Sequence, residues 1–232
     1  MLLFYTHVNL DLPNDIFDTF LSILLPATKQ NILAFKQRKD RWLILAGRLL
    51  LSKAFEIQGL SLNLDDIARN KLGRPYLPHQ EIDFNISHSG NYSLCVLSKQ
   101  GKVGIDIEKI RNVNIDAFRK YMTDDQWIDI IESDDKLKRF FYYWTLKESV
   151  LKAEGSGISG GLLSVENSPD GVYRKGKRWF TKEVLIDSDY ICHVASDSPF
   201  DNNLRLIQVD LFNLPKISDR TENITKSSRK GW

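Results

Sequence analysis

Cysteine is scarce in this 232-residue chain: Cys95 and Cys192 are its two thiols. Two thiols cannot build a disulfide framework, and their separation does not suit a zinc site. Each sits in an apolar, strand-like run, Tyr92-Ser-Leu-Cys-Val-Leu97 and Tyr190-Ile-Cys-His-Val194, so both are expected to be small buried hydrophobes. Charge of one sign is also missing. The chain has 32 Lys and Arg against 30 Asp and Glu, with 42% apolar residues, which excludes a disordered chain and one built around nucleic-acid charge. Thirteen glycines and seven prolines are too few for a fibrous protein. No apolar run is long enough to span a bilayer, since Trp42–Leu51 is short and interrupted by Arg48. The opening Met1-Leu-Leu-Phe-Tyr-Thr-His7 has neither a basic start nor a small-residue cleavage site. The expected setting is therefore the cytoplasm, with neither nucleic acid nor membrane as a partner.

What is present is a mixed pattern. Residues 2–10 predict a strand, 15–25 a short helix and 29–56 a longer one, with Phe35, Trp42, Leu45, Ala46 and Leu49 at helical spacing. Strands are predicted at 82–87, 91–97 and 102–109, helices across 114–155, and strands again at 163–166, 178–186, 189–195 and 204–211. This order reads as an α+β fold of two similar halves, 1–103 and 104–214. Residues 215–232 are polar, with five basic residues against two acids, and are expected to be disordered. Gly155-Ser-Gly-Ile-Ser-Gly160 matches a dinucleotide-binding glycine pattern. That pattern needs a strand before it and a helix after it. Here it follows a helix, so Gly155 is expected to be a helix stop.

Chemistry concentrates in four places. In Val103-Gly-Ile-Asp-Ile-Glu-Lys109 alternate residues share a strand face, which puts Asp106 and Glu108 roughly 6.6–6.8 Å apart. Two carboxylates so close suit a hard cation such as Mg²⁺, and Gly104 beside them would leave room for a ligand. The plainer alternative is a solvated face paired with Lys102 or Lys109. In the helix around Trp144-Thr-Leu-Lys-Glu-Ser-Val-Leu-Lys152, Glu148 falls inside the apolar arc of Trp144, Leu151, Phe140 and Phe141. A carboxylate there is costly without a partner; a Glu148–Lys152 pair would contribute only about 0.2–0.5 kcal/mol. Gly73-Arg-Pro-Tyr-Leu77 is a basic turn, and Phe84-Asn-Ile-Ser-His-Ser-Gly90 ends a strand with hydroxyls and an imidazole. Arg38, Arg41 and Arg48 share one helical arc, suited equally to a solvated edge or to phosphate.

These four segments, in this order and spacing across roughly residues 35–160, resemble the 4′-phosphopantetheinyl transferases of the larger surfactin-synthetase-activating (Sfp) type. The resemblance implies two α/β halves related by a pseudo-twofold, acting as a monomer. It implies transfer of the phosphopantetheine arm of coenzyme A to a serine of an apo acyl or peptidyl carrier protein, with release of adenosine 3′,5′-bisphosphate. Asp106, Glu108 and Glu148 would hold Mg²⁺, or Mn²⁺ in its place. Asp106, Glu148 and Lys152 would be catalytic. Arg41, Arg74, Pro75, Ser87, His88, Lys147 and Lys152 would bind coenzyme A. Where the family commonly has two basic residues ahead of Phe35, this chain has Thr28 and Asn31 flanking Lys29. A Mg²⁺-dependent hydrolase of nucleotide pyrophosphates and a non-catalytic coenzyme A or carrier-protein binding module are the competing readings.

Overall fold

The computed structural model describes residues 1–11, 13–157, 161–168, 170–200 and 204–212; the tail 215–232 and Ile158–Gly160 lie outside the described residues. The first half runs β1 (Leu2–His7), α1 (Asn14–Ser22), α2 (Pro26–Leu33), α3 (Arg38–Ile57), the short β2 (Ala68–Arg69) and β3 (Pro75–Tyr76), then β4 (Asp83–Ser89) and β5 (Tyr92–Ser98). The second runs β6 (Val103–Lys109), a 3-10 segment Ile115–Tyr121, α4 (Asp124–Glu132), α5 (Lys136–Glu154), a 3-10 turn Leu162–Ser164, β7 (Val165–Ser168), β8 (Gly171–Arg174), β9 (Lys177–Glu183) and β10 (Tyr190–Ser196). A last strand, β11 (Arg205–Gln208), follows.

The two larger sheets repeat one topology. One has the order β11-β1-β5-β4 and the other β6-β10-β9-β8-β7. In each, the opening strand pairs antiparallel with the half's last strand, which pairs with the strand before it. The long helix packs on the sheet in both cases: α3 on β4 and β5, α5 on β6 and β10. β11 departs from the division at residue 103, because it crosses back to pair in parallel with β1. Cys95 and Cys192 are buried on equivalent strands, where burial pushes both thiols up.

One expected long helical span is broken. The span 29–56 divides between α2 and α3, where Gln37 is extended. The helices expected across 114–155 are the 3-10 segment, α4 and α5. Thr123 and Gln126 close a capping box at the start of α4, and Asp135 caps α5 through Lys138 N. α5 ends as expected at Gly155, whose φ of 83° is left-handed.

No backbone ladder joins β4 to β6. Instead every second side chain of β4 accepts from every second backbone N–H of β6. Asp83 bonds Val103 N at 2.7 Å, Asn85 bonds Ile105 N at 3.0 Å, Ser87 bonds Ile107 N at 3.3 Å, and Ser89 bonds Lys109 N at 3.1 Å. The period of two in both strands keeps the rungs in step. This polar seam joins the halves, and the chemistry lies along it.

Candidate active site

Asp106 and Glu108 occupy the β6 face that turns away from the Val103, Ile105 and Ile107 core. Asp106 is buried, and its Oδ1 takes Lys152 Nζ at 2.6 Å and Ser87 Oγ at 3.1 Å. The same Ser87 hydroxyl receives Lys152 Nζ at 2.9 Å. Glu108 Oε2 accepts from Ser89 Oγ and from Arg111 Nη1, both at 2.8 Å. Glu148 comes from α5, which lies across β6 because Gly104 has no side chain. A Cβ there would stand 2.1 Å from Ser149 O and 2.4 Å from Ala153 N. The room at Gly104 is therefore filled by the helix, not kept for a ligand as its place beside the acids suggested.

Glu148 is buried, and Lys152 bonds Asp106 and Ser87 instead of pairing with it. Burial raises the Glu148 carboxyl to about 7, the charges of Asp106 and Glu108 add to the rise, and Lys152 opposes it. Burial likewise pushes Asp106 up against the pull of Lys152. Two buried carboxylate oxygens, Asp106 Oδ2 and Glu148 Oε1, have no hydrogen-bond partner. Unpaired buried acceptors are rare and costly, and anionic oxygens in that state fit a hard divalent cation. Among the described residues, no three His, Cys, Asp or Glu side chains are grouped so that they could hold a metal ion. Lys152, Ser89 and Arg111 hold the outer oxygens instead.

Other expected site residues go elsewhere. Lys147 is fully buried on a different face of α5, where Nζ donates to Tyr121 O at 3.0 Å and Leu162 O at 3.1 Å. Burial lowers it to about 8. It ties two loops to the helix and is not placed to meet a phosphate. Arg74 is locked in a buried pair with Asp83. Arg41 Nε donates to Phe35 O at 2.7 Å, holding the break between α2 and α3. Pro75 is half-buried in β3 opposite Arg69. His88 is exposed on the β4 face opposite Ser87; desolvation and then the charge of Lys152 hold its imidazole below the usual range, against Asp40 and Glu108. Ser89, one of the strand-end hydroxyls suited to phosphate, is bonded to Glu108, and the structure adds Arg111 there. It also adds Arg69 next to Arg48, whose guanidinium is held down by burial and by that second positive charge. Nothing local in the sequence pairs Arg48 with Arg69, since they lie on α3 and β2.

Comparisons with known proteins identify the family. A family model described as "4'-phosphopantetheinyl transferase, N-terminal" matches residues 13–100. Another, "4'-phosphopantetheinyl transferase superfamily", matches residues 102–195. The chain is 29% identical over 161 residues to 4'-phosphopantetheinyl transferase Sfp of Bacillus subtilis, covering 66% of this chain and 71% of that one. It is 29% identical over 178 residues to 4'-phosphopantetheinyl transferase gsp of Aneurinibacillus migulanus, covering 72% and 74%. With the L-aminoadipate-semialdehyde dehydrogenase-phosphopantetheinyl transferase of Rattus norvegicus it shares 30% identity over 208 residues, covering 75% and 67%. Both halves match in order, and the matches take in β4, β6 and α5, so the chain belongs to the 4′-phosphopantetheinyl transferases, of the larger Sfp type.

Proposed function

We propose that this transferase moves the 4′-phosphopantetheine arm of coenzyme A onto a serine hydroxyl of an apo acyl or peptidyl carrier protein, releasing adenosine 3′,5′-bisphosphate. Asp106, Glu108 and Glu148 would hold Mg²⁺, with Mn²⁺ as a substitute. The observation that carries this is the pair of unpartnered buried oxygens, Asp106 Oδ2 and Glu148 Oε1. When bound, the cation would offset charge on the pyrophosphate oxygens.

The chain's own residues supply the rest. The serine oxygen attacks the phosphorus that bears pantetheine, and the bond from that phosphorus to the bridging oxygen breaks. The electron pair leaves with adenosine 3′,5′-bisphosphate. Lys152, held at 2.6 Å from Asp106, is the cation on Asp106 and would balance charge on the leaving phosphate. Glu148, buried beside Asp106, is suited to take the serine proton directly or through water. Arg48 and Arg69 concentrate positive charge suited to the phosphates on the adenosine side, with Pro75 opposite Arg69. One chain supplies β4 from the first half and β6 and α5 from the second, which supports action as a monomer. Incubation with coenzyme A, Mg²⁺ and a panel of apo carriers, read by intact mass, tests the proposal. An arm on the carrier serine is expected. Free phosphopantetheine with unmodified carriers would mean a hydrolase, and no product would mean a binding module.

A further inference from the structure

We propose that Arg74 is a positioning residue for Lys152 and not a ligand of coenzyme A; this rests on the transfer role of Lys152 argued above. The loop that carries it is tied at both ends. Asn70 Oδ1 accepts from Leu72 N and Arg74 N, both at 2.9 Å, and Asn70 N donates to Arg74 O at 2.9 Å. Asn70 Nδ2 reaches Gly155 O at 3.3 Å, so the loop sits against the end of α5.

The guanidinium makes four hydrogen bonds. Nη1 donates to Asp83 Oδ1 at 2.9 Å and Nη2 to Asp83 Oδ2 at 2.6 Å, a bidentate pair. Nη2 also donates to Val103 O at 3.0 Å, and Nε donates to Lys152 O at 2.8 Å. Asp83 Oδ2 in turn accepts Val103 N at 2.7 Å, the first rung of the seam. One buried group therefore touches the start of β4, the start of β6 and the last turn of α5. The final carbonyls of a helix lack intrahelical partners, and Arg74 takes that of Lys152, whose side chain reaches Asp106. Fixing this carbonyl against Val103 sets the spacing between Lys152 on α5 and Asp106 on β6. With 8% of the Arg74 side chain exposed, a phosphate would have to displace Asp83, which would leave that buried carboxylate only the Val103 N–H and Lys102 at 3.7 Å.

The test uses Arg74→Lys, which keeps the charge and loses the fork, and Asp83→Asn, which breaks the bidentate pair from the other side. Each is made alone and with Lys152→Met, and read by single-turnover carrier modification, steady-state kinetics and calorimetric titration of coenzyme A. In both single variants kcat should fall about tenfold or more while KM and Kd for coenzyme A stay within about twofold. With Lys152→Met already present, either change should lower the rate by less than about twofold, because the group it positions is gone. A rise of about tenfold in Kd for coenzyme A with kcat retained would make Arg74 a ligand and overturn the inference. Equal rate losses with and without the Lys152 side chain would make it a structural support and overturn it too. If Arg74→Lys fails to fold, Asp83→Asn carries the same comparison. A wild-type protein that modified no carrier would defeat the transfer reading itself, an outcome distinct from these.

Discussion

Lys147 and Glu148 are neighbours on α5 and meet opposite surroundings. Glu148 faces the seam, while Lys147 turns into the carbonyls of Tyr121 and Leu162. Helical spacing already separates them: at 100° per residue, Lys152 lies about 40° from Glu148 and Lys147 about 100° from it. The family motif groups both lysines as phosphate contacts; the helix divides them. His193 is a residue to which the sequence assigned no role. It is buried, 2.8 Å from Thr145 Oγ1 and edge-on to Tyr142. Burial lowers its imidazole from 6.5 to about 3. The unfolded chain therefore gains a proton below about pH 6.5 that the folded chain refuses until about pH 3. The stability of the neutral, buried form is complete above that window and is lost as pH falls through it, by about 2 kcal/mol at pH 5. His193→Asn should be less stable than wild type at pH 7 and lose less on acidification. Urea unfolding at pH 7 and pH 5 measures this, and an equal drop in both proteins would contradict it.

At the scale of elements, α5 rests on β6 through Gly104. Gly104→Ala would drive a methyl into the backbone of Ser149 and Ala153, which no rotamer change relieves. A loss of at least about 1–3 kcal/mol is expected, together with reduced transfer, because Glu148 and Lys152 ride on the displaced helix. Thermal melting and carrier modification on the same variant check this; a wild-type midpoint would mean that α5 does not sit so close. The strands β4, β5, β6 and β10 were legible because a period of two or a compact apolar run marks each one. Helix ends were less so. The extended Gln37 and the cap at Asp135 divide runs whose apolar spacing continues across the break. The pairing of β11 with β1 joins residues about two hundred positions apart and leaves no local mark. For the same reason the Arg74–Asp83 pair was hidden. A basic turn is visible in the sequence, but the acid opposite it becomes a neighbour only when the strands assemble.

At the scale of the whole molecule, the halves are alike in topology but unequal in chemistry. The first supplies Ser87, Ser89 and Asp83 as acceptors along β4. The second supplies the carboxylates and Lys152. The seam that holds the halves in register also orients the acids, since Ser87 and Ser89 each accept a β6 N–H and donate to the carboxylate on that strand. The central claim is that three acids gathered at this seam carry the transfer. Its most direct test is intact-mass measurement of an apo carrier after incubation with coenzyme A and Mg²⁺, comparing wild type with Glu148→Gln, with and without chelator. The variant should melt at or slightly above the wild-type midpoint, because a buried carboxylate with an unpaired oxygen has been neutralised. It should transfer about a hundredfold or more slowly, and chelator should silence the wild type until Mg²⁺ is restored. Near-normal modification by Glu148→Gln, or undiminished wild-type transfer in excess chelator, would contradict the account.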